Sequence, residues 1–297
     1  MYRQNLGQKV FNIFNMTFMI CFCIIILYPY LNVLAVALNN NAISTYSGLM
    51  LIPKIPTLMN FRALFSDNNI LRSILVTVFR IIIGVSLSIT VEFSASYALS
   101  RKRLLGKRSL SLFFLIPTYI SGGLIPLYIL YSKVHLMNNP LVYVLPGAFM
   151  FFDFILFRTF MGTIPDSLEE SAKLDGANAL VIMTKIYFPL CAPIIATIVL
   201  YQAVAHWNDW TTTLYFINSQ KWNTLQFELQ RTLREQSRLS QLVQTAIMEG
   251  QMPVQTPYTS TGVRNAQIII STLPIIMIYP FLQKYFIKGM LIGGVKE

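Results

Sequence analysis

EESAKLDGANALVIMTKIYFP (residues 169–189) is a polar interruption between two long apolar stretches. It opens on adjacent glutamates, passes a lysine and an Asp-Gly pair, and closes on an apolar run that reaches Pro189. The local chemistry reads as two short helices meeting at a bend. Pro165 suits a first helical turn, and Ser167 followed three residues later by Glu170 has the spacing of a capping box. Leu168 and Ala172 share a face at i, i+4, and Gly176 breaks the run. A second stripe follows through Ala179, Met183, Ile186 and Leu190, with Pro189 marking the return to long apolar sequence. An element charged on one side and small or apolar on the other fits a partner's groove.

The surroundings set the class. Of 297 residues, 55% are hydrophobic and 12% charged, with a mean hydropathy of +0.56, against about 25% charged in a soluble domain. A chain so poor in charge cannot cover itself in water but can in lipid, so this is an integral membrane protein. The formal charge of +11 reads as anchoring charge at one membrane face and not as nucleic-acid binding. Cys21, Cys23 and Cys191 lie in or beside apolar stretches. Their odd number argues against a disulfide framework, and no Cys-His pattern has metal spacing. The first apolar stretch runs to about Leu38, longer than the roughly 7–15 residue core of a cleaved signal, and reads as a retained span.

Six stretches are long and apolar enough to cross a bilayer, near 11–38, 70–99, 109–132, 140–161, 188–217 and 264–288. None alternates, so the expected fold is all-α with six transmembrane helices in one domain, 1–297. The connection after the second span, SRKRLLGKRS, packs Arg101, Lys102, Arg103, Lys107 and Arg108 together. That density marks the cytoplasmic side, with both termini on it. The quoted segment then falls in a cytoplasmic connection, 165–188, and a long polar connection, 218–263, falls outside.

The spacing Glu170-Ser171-Ala172, Gly176, Ile186-x-Phe188-Pro189 resembles the "EAA" signature of permease subunits of ATP-binding-cassette importers. Ser171 replaces the usual alanine and Phe188 the usual leucine, while Asp175-Gly176-Ala177 matches an extension common in the sugar-importing branch. PTLMNFRALFSD (56–67), ASYALSRKRLLGKR (95–108), IPTYISGGLIPLYIL (116–130), HWNDW (206–210) and the C-terminal KGMLIGGVKE are similar to carbohydrate-uptake permeases of the maltose-importer kind, especially those handling complex oligosaccharides. The resemblance implies a bacterial cytoplasmic-membrane protein working by alternating access. It would pair with a second permease, two cytoplasmic ATPase subunits and an extracytoplasmic solute-binding protein. In that family the 165–188 connection forms coupling helices seated on the ATPase, which implies that role for Glu169, Glu170, Ser171, Ala172, Asp175, Gly176, Ala177 and Pro189. Glu170 would make charged contacts, Gly176 the turn, and Ala172 and Ala177 a close approach. The 218–263 connection would meet the binding protein. The chain has no G-x-x-x-x-G-K-[ST] loop, so ATP and magnesium are expected on the partner ATPase, with no cofactor and no enzymatic activity in this chain.

Ionisable groups at membrane depth face protein or a cavity. Arg80, Glu92 and Asp153 are expected to form structural ion pairs with another helix or with the partner permease. Gln202 and His206 share a helix face and lie beside Trp207, Asn208, Asp209 and Trp210. Planar rings with amides and a carboxylate suit a sugar, so Gln202, His206, Trp207, Asn208 and Asp209 are substrate-pathway candidates, with Tyr119 and Tyr128 in the third span as weaker ones. A secondary transporter or channel would instead need inverted repeats or an ion relay, and a membrane enzyme a catalytic cluster. Neither pattern is visible, and the two histidines, His135 and His206, stand beside no nucleophile motif.

Overall fold

The computed structural model describes residues 6–40, 50–101, 104–120, 122–235 and 259–294. Apart from one bridge between Asn39 and Pro56, every regular element among them is helical. The helices are α1 (Leu6–Ala37), α2 (Met59–Phe65), α3 (Asn68–Ser100), α4 (Lys107–Tyr119), α5 (Leu124–Lys133), α6 (Phe151–Met161), α7 (Asp166–Leu174), α8 (Ala179–Leu190), α9 (Ala192–Asn208), α10 (Thr211–Phe216), α11 (225–235) and α12 (Ser260–Gly294).

Among the described residues, three helices are long and apolar enough to cross a bilayer, Gly7–Ala37, Asn68–Ser100 and Thr261–Ile278. Two bent pairs, α4 with α5 and α8 with α9, raise the number to five. The expected span at 140–161 does not form one helix. A 3₁₀ turn at Pro140–Tyr143 precedes the 11-residue α6, which covers about 16 Å at 1.5 Å per residue. Pro140, Pro146 and Gly147 interrupt that apolar stretch, and apolarity alone does not register them. The expected spans at 109–132 and 188–217 are likewise broken, at Gly122–Gly123 and at Asp209–Trp210. Gly123 sits at φ +80°, a conformation that favours glycine.

The chain divides into two compact units, Met1–Asn68 with Leu229–Leu273, and Asn69–Glu228 with Pro274–Glu297. In the first, most of α1 turns apolar side chains outward, as a lipid-facing helix does. Its last turn is buried, and Asn60 of α2 donates to the carbonyls of Ala37 (2.8 Å) and Asn39 (3.0 Å). Gly262 approaches Asn60 so closely that a Cβ there would lie 2.5 Å from its side-chain oxygen. Tyr30 and Thr272 hydroxyls meet at 3.1 Å.

The second unit is organised on α3, whose outer face is apolar and whose buried face is partly polar. Ser73, Thr77, Arg80, Gly84, Ser88, Glu92 and Ser96 recur every three or four residues and are all buried or, at Gly84, covered by a neighbour. Val85, Ile89, Phe93 and Tyr97 run alongside and pack with Phe157, Met161, Ile182, Tyr187, Cys191 and Ile198. A second apolar cluster joins Val76, Tyr131, Val142–Val144, Phe216 and Ile217. The beginning of the long connection is part of this fold. The Leu225 amide donates to Thr77 Oγ1 (2.9 Å), and the Tyr143 hydroxyl to the Trp222 carbonyl (2.7 Å). Residues 236–258 of that connection lie outside the described residues.

Candidate coupling element and intramembrane polar site

The quoted segment folds as two helices joined by a tight turn. α7 starts after Pro165 and ends at Leu174, and no side chain caps its start. The expected capping box does not form, because the helix begins at Asp166 and places Ser167 inside the first turn. The far end closes as a Schellman motif. Gly176, at φ +79°, donates to the Lys173 carbonyl (3.1 Å), and Ala177 donates to that of Ala172 (2.9 Å). Asn178 then accepts from the Val181 amide (2.9 Å) and caps α8. Residues Ile182–Tyr187 of α8 widen into a π-helical stretch. Pro189 offers no N–H to the carbonyl four residues back, and i→i+5 bonding accommodates the gap. At Cys191 the chain bends by 78° between α8 and α9, two residues beyond Pro189.

The two adjacent glutamates face different ways. Glu169 is buried, ion-paired to Arg101 at the end of α3, with Lys173 Nζ at 2.7 Å and the Tyr187 hydroxyl donating at 3.3 Å. Arg101 also lies over the rings of Tyr97 (4.2 Å) and Tyr187 (4.6 Å). Glu170, Ser171 and Asp175 are exposed, together with Leu174, 89% exposed, and Leu180. Ala172 and Ala177 pack inward beside Met183 and Ile186. A cleft of about 710 Å³ opens beside the element, lined among others by Arg101, Pro165, Glu169, Glu170, Lys173 and Tyr187.

Toward the other end of α3, Arg80 is bound on every side. It pairs with the Asp209 carboxylate, donates from Nη1 to the Asp209 carbonyl (3.0 Å) and from Nε to His206 Nδ1 (3.2 Å), and lies 4.7 Å from the Tyr143 ring centre. Asp209 ends α9 and receives the Thr211 and Thr212 amides and hydroxyls that open α10. It is thus the pin of the break between those helices. His206 Nδ1 accepts, so Nε2 carries the ring proton. A Cβ at Gly84 would lie 2.9 Å from that nitrogen. Gly84 is glycine because His206 lies against it.

One turn away, Gln202 is buried among Ser88 (2.9 Å), Glu92 (3.1 Å) and Asp153 (2.8 Å), all facing its amide nitrogen. Glu92 also accepts from Ser88 and from the Met150 amide, both at 2.8 Å. Of the ion pairs expected for Arg80, Glu92 and Asp153, that of Arg80 forms within this chain, to Asp209, whereas Glu92 and Asp153 meet the uncharged Gln202 amide. A cavity of about 340 Å³ adjoins both groups, lined by Arg80, Tyr143, Tyr201, Gln202, His206 and Asp209 with six others. The substrate-pathway candidates divide accordingly. Gln202, His206 and Asp209 line the cavity; the Asp209 carboxylate, His206 Nδ1 and the Gln202 amide nitrogen are held by protein partners, while Gln202 Oε1 is buried with no hydrogen-bond partner among the described residues. Trp207 is half-buried, and Asn208 is exposed and bonded to the Val204 carbonyl. Tyr119 stands exposed at the end of α4, and Tyr128 packs near Phe216. Tyr143 and Tyr201 were not legible as cavity residues from sequence. Among the described residues, no cluster of three or more His, Cys, Asp or Glu could hold a metal.

Comparison with known proteins defines the class. Residues 81–292 match the family model described as the inner membrane component of binding-protein-dependent transport systems, so the chain belongs to that family of multi-pass membrane transporter subunits. It is 34% identical over 290 residues to the polygalacturonan/rhamnogalacturonan transport system permease protein YtcP of Bacillus subtilis (strain 168), covering 97% of this chain and 99% of that protein. It is 29% identical over 260 residues to the melibiose/raffinose/stachyose import permease protein MelC of the same organism, covering 84% and 85% of the two chains. The fold matches a chain of a bacterial ABC transporter importing the acidic polysaccharide alginate, with a TM-score of 0.85, 27% identity, and coverage of 96% of this chain and 100% of that one.

Proposed function

We propose that this chain is one permease of an ATP-driven importer that moves oligosaccharides across the bacterial cytoplasmic membrane by alternating access. Family membership over residues 81–292 carries the reading, and the α7–α8 element gives it a mechanism. Closure of two ATPase subunits would push on the exposed face of α7–α8, where Glu170, Leu174 and Leu180 are presented, and rock the packed helices as bodies. A second permease completes the pathway, and a solute-binding protein delivers the sugar to the side opposite α7–α8. ATP and magnesium belong to the ATPase. The basic residues between α3 and α4, with Arg101 paired to Glu169 of α7, support a cytoplasmic position for the α7–α8 side by the positive-inside rule. Acidic oligosaccharides lead the candidate substrates, since relatives include importers of polygalacturonan and alginate.

The test is the ATPase activity of the assembled importer in nanodiscs. Binding protein would be loaded in turn with oligogalacturonides, alginate oligosaccharides and maltodextrins. One sugar class should stimulate hydrolysis, and Glu170→Ala should abolish that stimulation while the complex stays assembled. Full stimulation in the variant would reduce α7–α8 to a connector.

A further inference from the structure

Arg101 belongs to a basic run whose ordinary role is to anchor a membrane face. Its surroundings are those of a built joint. The guanidinium lies over two tyrosine rings, Tyr97 one turn back on α3 and Tyr187 on α8, whose own centres are 5.2 Å apart with planes at 73°. Its Nε donates to the Tyr97 carbonyl (3.2 Å) and its Nη2 to Ser100 Oγ (2.9 Å), which fixes it to the end of α3. The remaining face carries the ion pair to Glu169 of α7, a carboxylate also bound by Lys173 and Tyr187. One side chain therefore ties α3, α7 and the π-helical part of α8 together. Ser100 and Arg101 also line the cleft that opens beside Glu170.

The consequence is mechanical. α7 is one of the shortest helices in the chain, and its outward face is exposed. A push on such a helix is lost in local tilting unless something rigid connects it to a long helix. α3 is that helix, joined further along to α6 through Ser96 and Glu92, to α9 through Gln202, and to the α9–α10 break through Arg80.

We infer that Arg101 is a positioning residue that locks the coupling element to α3, so that displacement of α7–α8 becomes displacement of the intramembrane polar site. This rests on the reading of α7–α8 as the element the ATPase contacts. The planar guanidinium is essential to it, because an ammonium cannot present separate N–H groups in fixed directions to the Tyr97 carbonyl, Ser100 Oγ and the Glu169 carboxylate while lying over two rings.

The experiment uses the assembled importer in nanodiscs, in a cysteine-free background. Spin labels at Val91 on the exposed face of α3 and at Ser167 on α7 report their separation by double electron–electron resonance, without nucleotide and with a non-hydrolysable ATP analogue. The wild-type distance should be narrow and unchanged by nucleotide. Arg101→Gln and Arg101→Lys should both broaden it, and both should lower sugar moved per ATP by about tenfold, within the range of residues that modulate coupling without touching a ligand. Arg101→Glu with Glu169→Arg should recover part of that ratio. A nucleotide-dependent distance in the wild type would overturn the inference, as would an Arg101→Lys variant indistinguishable from it, which would leave Arg101 as anchoring charge. A Leu174→Cys cross-link to the ATPase is scored separately. Its absence would remove the coupling reading itself, whatever the labels show.

Discussion

Two ion pairs lie along α3, and their surroundings give them different work. Toward one end, Arg80 and Asp209 have side chains 5% and 22% exposed and are hemmed in by His206, Tyr143 and two threonines. At the other end, Arg101 and Glu169 are 23% and 11% exposed, and Lys173, 60% exposed, shares the carboxylate. Water can reach the second pair and replace a lost partner. It cannot readily do so at the first, where an unpaired charge would remain at membrane depth. The chemistry is the same, so the difference lies in the desolvation of the two arginines, since Asp209 is the more exposed of the two carboxylates. The first pair holds α3, α9 and α10 in one arrangement, and the second can bear load during a transport cycle without being decisive for folding.

The largest expected effect tests that contrast directly. Asp209→Ala strands Arg80 and should destabilise the protein by about 3–5 kcal/mol, read as thermal unfolding in detergent and as loss of assembled complex. Replacing both partners, Arg80→Met with Asp209→Leu, should recover most of that loss. If the double variant is as unstable as the single, desolvation is the wrong explanation. Gly84→Ala acts on the same cluster from the α3 side. The added methyl must displace His206, whose Nδ1 holds Arg80, and a cost of about 1–3 kcal/mol is expected for overpacking. An unchanged melting temperature would mean that His206 moves without consequence.

Smaller effects follow elsewhere. Gln202→Leu removes the amide between Ser88, Glu92 and Asp153 and should cost about 1–2 kcal/mol, with the Arg80 cluster intact. Glu169→Gln keeps a hydrogen-bonding side chain beside Arg101, Lys173 and Tyr187 and should cost about 1 kcal/mol, well below Asp209→Ala, yet lower transport. A Glu169→Gln variant as unstable as Asp209→Ala would erase the distinction between the two pairs.

Much of this was legible in the residues. α1, α3 and α12 follow from long, predominantly apolar runs, and the bend at Gly176 from a glycine at the end of an amphipathic turn. The breaks within the other spans were less visible, because hydropathy averages over Pro146, Gly147 and Asp209 as though they continued a helix. Gln202, His206 and Asp209 stood out as polar groups in an apolar stretch, but the residues that occupy them did not. Apart from Thr211 and Thr212 at Asp209, their partners come from α3 and α6, more than forty residues away in sequence. The serine and glycine positions of α3 look like gaps in apolarity until α6 and α9 are packed against them.

The sequence by itself determined the class: too little charge for a water-exposed surface, long apolar helices, and a polar two-helix element with its turn. Only the tertiary structure decided which of two adjacent glutamates faces inward. Glu169 and Glu170 are identical in type and differ by about 100° around the helix axis. That angle acquires meaning only once Arg101, Tyr97 and Tyr187 occupy one side of α7 and leave the other side open.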